Sequence, residues 1–256
     1  ITNSVWAKQR HEYGYKKIVK TPLMIEFCNQ PYIDVRASLN SFIPENIPKY
    51  ISKKLCNSYL DILINNPSLH DKIEFEVAFT IWTPNFIKEA KKRLGPYNFT
   101  KYEIKLIEES LKKITKNSFL RINNDTKNII KLEQNRKKIL NNDNNNILKF
   151  FNLLSDCKKY GTLSFAHAAR AGFVAIILLK SFVKEKIITQ KRYNLFMEGI
   201  HSVSKEFKDE INSDKKNKKN LIKKFGHLRP GTYEIKNKAY WENANFYLNT
   251  KQKIKE

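Results

Sequence analysis

Glycine is scarce in this chain, with seven in 256 residues. That scarcity leaves no G-x-x-x-x-G-K-[ST] loop and no G-x-G-x-x-G turn, so the familiar ways of cradling a nucleotide phosphate are missing. Cysteine is also sparse. Cys28, Cys56 and Cys157 are odd in number, widely spaced and without a C-x-x-C pair. They suit a reducing, cytoplasmic compartment better than a disulfide framework or a zinc site. Five histidines (His11, His70, His167, His201 and His227) show no metal-ligand spacing and no H-E-x-x-H. No G-x-S-x-G elbow marks a nucleophile. The longest apolar run, 171–179, stops at Lys180, far short of the ~20 residues a membrane span requires. No membrane partner is expected. No repeat and no Gly-, Ser- or Pro-rich linker divides the chain, so residues 1–256 read as a single domain.

Acidic residues are in deficit. Asp and Glu total 25 against 48 Lys and Arg, a formal charge of +23, which raises nucleic acid as a partner. However, the lysines are mixed with asparagine and isoleucine, as AT-rich coding produces, and they outnumber the arginines that base and phosphate readers favour. A solvated lysine surface is the better reading, with a basic nucleic-acid-binding or scaffold module as its rival.

What remains is a chain built to fold. Hydrophobic residues make up 41% and charged ones 29%, a globular balance. Residues 22–82 carry strand signals: Ile33, Val35, Ala37 and Leu39 alternate with polar residues, as do Ile73, Phe75, Val77, Phe79 and Ile81, with 23–27 a third strand. Between them Ile47, Ile51, Leu55, Tyr59 and Leu63 recur at helical spacing. After Pro84 the pattern predicts helices over 102–116, where Thr100 and Glu103 form a capping box, and over 126–140, 147–160, 163–184 and 189–211. Segments 141–146 and 212–220 read as exposed connections. The expected fold class is α+β: a predominantly helical array with a small, mainly antiparallel sheet in the N-terminal third.

Four places could carry chemistry. On the expected open sheet face, Asp34, Arg36, Ser38, Asn40, Glu74 and Glu76 interleave acid and base. Such a face is either a solvated ladder of weak ion pairs or a surface that grips an ammonium and a carboxylate. His167 and Arg170 are three residues apart, so they share one helix face among small residues that let a ligand or a neighbouring helix approach. The segment Trp6 to Tyr15 is rich in aromatics, which more often mean core than ligand. Finally, Gly226-His227-Leu228-Arg229-Pro230-Gly231-Thr232-Tyr233 packs a histidine, an arginine and a Pro-Gly pair together. Pro then Gly at the centre of a four-residue turn suits type II geometry, which would hold His227, Arg229 and Tyr233 on one corner.

Phe225-Gly226-His227-Leu228-Arg229-Pro230-Gly231-Thr232-Tyr233 resembles the "YGHLRPGTYD" motif of bacterial kinases related to phosphoenolpyruvate synthase and rifampin phosphotransferase. Pro31-Tyr32-Ile33-Asp34-Val35-Arg36 with Asn40-Ser41-Phe42-Ile43-Pro44 is similar to that family's "PYIDVR…NSFIP". Leu69-His70-Asp71-Lys72-Ile73-Glu74-Phe75-Glu76 resembles its "LHDKVEFE", and Tyr160-Gly161-Thr162-Leu163-Ser164-Phe165-Ala166 with Ala169-Arg170-Ala171-Gly172-Phe173 resembles "YGTLPFA…ARAGF". Trp6, Gln9-Arg10 and Tyr13-Gly14-Tyr15 match its opening segment. The five stretches occur in the family's order along nearly the whole chain. One departure is that Asn237-Lys238-Ala239-Tyr240-Trp241-Glu242 stands where the family has an S-P-R-Y-D-like run.

The resemblance implies the middle, acceptor-binding domain of a three-part enzyme, excised from a longer polypeptide; that Ile1 stands first, with no leader after it, agrees with this. An ATP-grasp domain and a swivelling phosphohistidine domain of the same polypeptide would be its partners. ATP and Mg2+ would be bound by the parent enzyme, with no cofactor on this segment, which alone would be inactive. The similar branch includes L-glutamine kinase of capsule phosphoramidate synthesis, so glutamine is the expected small-molecule acceptor. On this reading Asp34, Glu74 or Glu76 meets its ammonium and Arg36, Arg170 or Arg229 its carboxylate. Asn40, His167 and Tyr233 complete the pocket, and His227 with Arg229 steadies the transferring phosphoryl group.

Overall fold

The computed structural model describes residues 2–143, 145–212, 218–230 and 236–248. The fold is α+β and mostly helical, with one two-stranded antiparallel sheet near the N-terminus. The chain divides into two compact units, residues 1–193 and 194–256, each described by itself.

In the first unit, α1 (Thr2–Tyr13) is stopped by Gly14, whose φ of +104° a side chain rarely tolerates. Strands β1 (Met24–Phe27) and β2 (Gln30–Ile33) pair antiparallel with Phe27 opposite Gln30. Their two-residue turn, Cys28-Asn29, has positive φ at both positions, the type I′ requirement. Asp34 then accepts the Ala37 N–H at 2.8 Å and starts α2 (Val35–Asn40). The alternation across Ile33–Leu39 therefore does not make a strand. The reason is local: an Asp cap satisfies a helix N-terminus, and Ala37, Ser38 and Leu39 bury in succession.

Helix α3 (Lys49–Asn65) follows as the spacing predicts, burying Ile51, Leu55 and Tyr59. The second expected strand is also replaced. Ile73–Val77 is a single π-helical stretch, closed by Ala78 N–H to Ile73 O at 2.8 Å. Residues 78–81 run on into the core and are buried on both sides. Beyond Ala78, two backbone groups bond to side chains instead of a neighbouring strand: the Phe79 N–H donates to Tyr59 Oη at 3.0 Å, and the Thr80 carbonyl accepts from the Tyr15 hydroxyl. The shared open sheet face carrying Asp34, Arg36, Asn40, Glu74 and Glu76 accordingly does not exist.

Helices α4 (Phe86–Leu94) and α5 (Lys101–Leu120) complete the main core, which joins Tyr13, Tyr15, Phe42, Leu55, Phe86, Ile107 and Leu111. The predicted capping box is present, with the Glu103 N–H on Thr100 Oγ1 and the Thr100 N–H on Glu103 Oε2. Helix α6 (Ile122–Leu140) and α7 (Asn146–Asp156) lead through a second π-helical stretch, Cys157–Thr162, into α8 (Leu163–Lys184). The helical run Asn146–Lys184 is long and apolar enough, by length and composition, to cross a membrane, although the uninterrupted apolar run within it is short. Two polar members of α8, His167 and Arg170, are buried against partners elsewhere in the unit.

The predicted helix over 189–211 is two helices, α9 (Gln190–Gly199), within which the units divide, and α10 (Val203–Asn212). In the second unit α11 (Lys218–Phe225) buries Leu221 and Phe225, and Phe207 meets the Phe225 and Tyr240 rings at 5.2 Å each. Gly226 lies against α11 where a Cβ would stand 2.2 Å from the Ile222 carbonyl oxygen. A short helix, α12 (Ala244–Leu248), ends the described chain.

Candidate functional site

Helix α1 places Trp6, Gln9, Arg10 and Tyr13 on one face, because residues three and four apart on a helix are neighbours. Helix α8 does the same with Ala166, Ala169, Arg170 and Phe173. Where these faces meet, the π-helical stretch brings in Glu74. Arg10 Nη2 donates to Glu74 Oε1 at 2.8 Å, and Arg170 Nη1 donates to Glu74 Oε2. Arg170 Nη2 also donates to Tyr15 Oη at 2.6 Å. The Arg10 guanidinium lies 4.0 Å from the centre of the Phe42 ring. Both arginine side chains are almost wholly buried, at 4% and 1% exposure.

Two buried cations against one anion leave one positive charge. Burial, and then Arg170 beside it, pull Arg10 down to about 10, so it still carries its charge at neutral pH. A buried charge is costly unless paired and hydrogen-bonded. Here the pairing is incomplete: Arg10 Nε, Arg170 Nε and Gln9 Oε1 are buried without hydrogen-bond partners. All three residues line an open cavity of about 310 Å³, walled by Trp6, Phe165, Ala166, Ala169 and Phe173. That volume lies at the small end of the roughly 300–1,000 Å³ of small-molecule sites, and apolar walls with a few polar groups are their usual make-up. Both π-helical stretches border it, one through Glu74 and the other through Thr162. Such insertions often mark functional positions.

A second polar cluster adjoins it. Arg121 Nη2 donates to Glu12 Oε2 at 2.8 Å, and His167 Nδ1 lies 2.9 Å from Asp125 Oδ1 and 3.1 Å from Arg121 Nη2. Burial, followed by the Arg121 charge, lowers the His167 pKa below its ordinary 6.5, keeping the ring neutral at pH 7. The Tyr13 hydroxyl donates to the His167 carbonyl at 2.9 Å and, through burial and the nearby Asp125, is pushed up to about 12. This cluster ties α1, α6 and α8 together beside the cavity. Neither His167 nor Asp125 lines the cavity.

Of the residues singled out from sequence, Glu74 and Arg170 come together in the cavity, with His167 adjacent. Asp34 caps α2. Arg36 is exposed and donates to Asn57 Oδ1 at 3.2 Å. Asn40 is half-buried, its Oδ1 3.5 Å from Lys16 Nζ. Glu76 is exposed and lines a smaller cavity with Phe79, Lys180 and Ser181. His227 and Arg229 belong to the second unit, where both are exposed; the His227 ring lies 6.3 Å from that of Trp241. Tyr233, with Gly231 and Thr232 of the expected turn, lies outside the described residues. Arg10 and Gln9 were not candidates in their own right. Their signal was the Trp6, Gln9-Arg10, Tyr13 spacing, which places a cation inside an aromatic helix face.

Compared with protein-family models, with curated proteins and with solved structures, the chain matches none of them. Among the described residues no group of three or more His, Cys, Asp or Glu is arranged to hold a metal ion.

Proposed function

We propose that this chain presents a small carboxylate-bearing acceptor, with L-glutamine foremost, to a phosphoryl group delivered by another part of the same polypeptide. The observation that supports it most is the pair of buried arginines sharing Glu74 in a cavity, with one positive charge in excess and two guanidinium N–H groups unpartnered. An acceptor carboxylate supplies the missing anion, and charge-assisted bonds of this kind are the strong ones. Gln9 Oε1 accepts from the acceptor's α-nitrogen. The carbon chain lies along Ala166, Ala169 and Phe173.

The reaction class follows from the resemblance to the phosphoenolpyruvate synthase and rifampin phosphotransferase kinases. The phosphorus–nitrogen bond of a phosphohistidine breaks, a bond from phosphorus to the acceptor's side-chain amide forms, and the amide proton passes to the released imidazole. ATP with Mg2+ charges that histidine in a separate domain of the parent enzyme. Three cysteines without disulfides, Cys28, Cys56 and Cys157, agree with a cytoplasmic setting.

Isothermal titration of the chain with L-glutamine and with L-glutaminamide, which lacks the carboxylate, tests the assignment. Glutamine is expected to bind at least tenfold more tightly, and Gln9→Ala to weaken it. Equal affinities for the two ligands, or no binding of either, would overturn the proposed grip.

A further inference from the structure

The arginine cavity does not stand alone. A larger one, of about 450 Å³, adjoins it and shares Trp6, Glu74 and Phe173 as a common wall. Its character is different. Val35, Phe42, Leu63, Ile73 and Phe75 supply most of its lining, with Ser38, His70 and Asp71 as its other polar members. Ile33 and Val35 are 45% and 41% exposed there. Apolar side chains left open in a concavity lose the stabilisation of burial unless something covers them.

The two cavities together have the polarity of an amphiphile: a cationic end with unpartnered donors, then an apolar trough. From this juxtaposition we propose that the acceptor is a carboxylate carrying an apolar extension, an acylated or peptidyl amino acid, with its carboxylate on Arg10 and Arg170. Its chain crosses Trp6 and Phe173 into the larger cavity. Gln9 Oε1 then accepts an amide N–H where a free amino acid would offer an ammonium. The proposal rests on the reading of the arginine cavity as the acceptor site and narrows the class of molecule bound there.

Titration with L-glutamine, N-octanoyl-L-glutamine and octanamide separates the two claims. Each buried methylene is worth about fourfold in affinity. Burial of three or four of its methylenes is therefore expected to make N-octanoyl-L-glutamine bind on the order of a hundredfold more tightly than glutamine, with octanamide at least tenfold weaker than N-octanoyl-L-glutamine. Val35→Glu, at a half-exposed position that should still fold, is expected to remove most of the gain. If glutamine binds and the octanoyl group adds nothing, or Val35→Glu leaves its gain intact, the extended acceptor is wrong while the arginine grip stands. If octanamide binds as tightly as N-octanoyl-L-glutamine, the carboxylate assignment fails as well.

Discussion

Arg10 and Arg170, from opposite ends of the first unit, close on the two oxygens of one carboxylate, that of Glu74. Neither arginine is satisfied without that carboxylate, and three elements meet through it. Its removal should therefore be felt both as lost stability and as an altered appetite for anions.

Glu74→Gln keeps the shape and deletes the charge. Stranding a buried partner typically costs about 3–5 kcal/mol. Glu74 keeps 21% of its side chain exposed, so a loss near the lower end is expected in urea unfolding. Added glutamine or acetate should restore more stability to the variant than to the parent, because the arginines then lack their own anion. An unfolding midpoint unmoved by the substitution would refute the network's role.

The His167 pKa is depressed in the folded chain, by burial first and then by Arg121. The sign follows from linkage. Above the ordinary value of 6.5 neither state is protonated and the group is silent. As pH falls below it, the unfolded chain takes up a proton that the folded one resists, so stability drops. Unfolding at pH 7.5 and 5.5 should show a steeper acid loss for the parent than for His167→Gln. Identical slopes would remove His167 as a contributor.

Gly14 ends α1 with φ +104°, and a Cβ there would stand 3.3 Å from Ile114 Cγ1. Gly14→Ala should cost about 2 kcal/mol through backbone strain. Because Tyr15 follows directly and its hydroxyl accepts from Arg170, glutamine binding should weaken as well. Thermal melting and titration of the same variant report the two effects.

Cys28 opens the type I′ turn with φ +50°, a region asparagine tolerates far better than cysteine does. Cys28→Asn is expected to raise stability by on the order of 1 kcal/mol, read as a higher urea midpoint. A lower midpoint would mean that the Cys28 side chain contributes something the turn geometry does not reveal.

Much of the helical framework was legible because its signals are local. Thr100 and Glu103 announce the start of α5 three residues apart, and the apolar spacing of Ile51, Leu55 and Tyr59 marks α3. The span of α8 could be read from its composition alone. Two strands were misread for one reason. Alternation of apolar and polar residues states that a segment is buried in part, but does not state what satisfies its backbone. At 34–40 an aspartate cap did so, and at 73–81 a π-helical bond and tyrosine hydroxyls did. Glu74 and Arg170 were legible as a carboxylate and a cation; that Arg10 faces them was not, since 64 residues separate it from Glu74.

Sequence by itself determined the helical α+β character, the caps, and the chemical types present, since each depends on residues within a turn or two of one another. Tertiary structure alone decided which cation meets which anion, that Glu74 sits on a π-helical stretch, and that an apolar trough adjoins the arginines. Those outcomes depend on how distant faces pack, and packing is a property of the whole unit that no local spacing encodes.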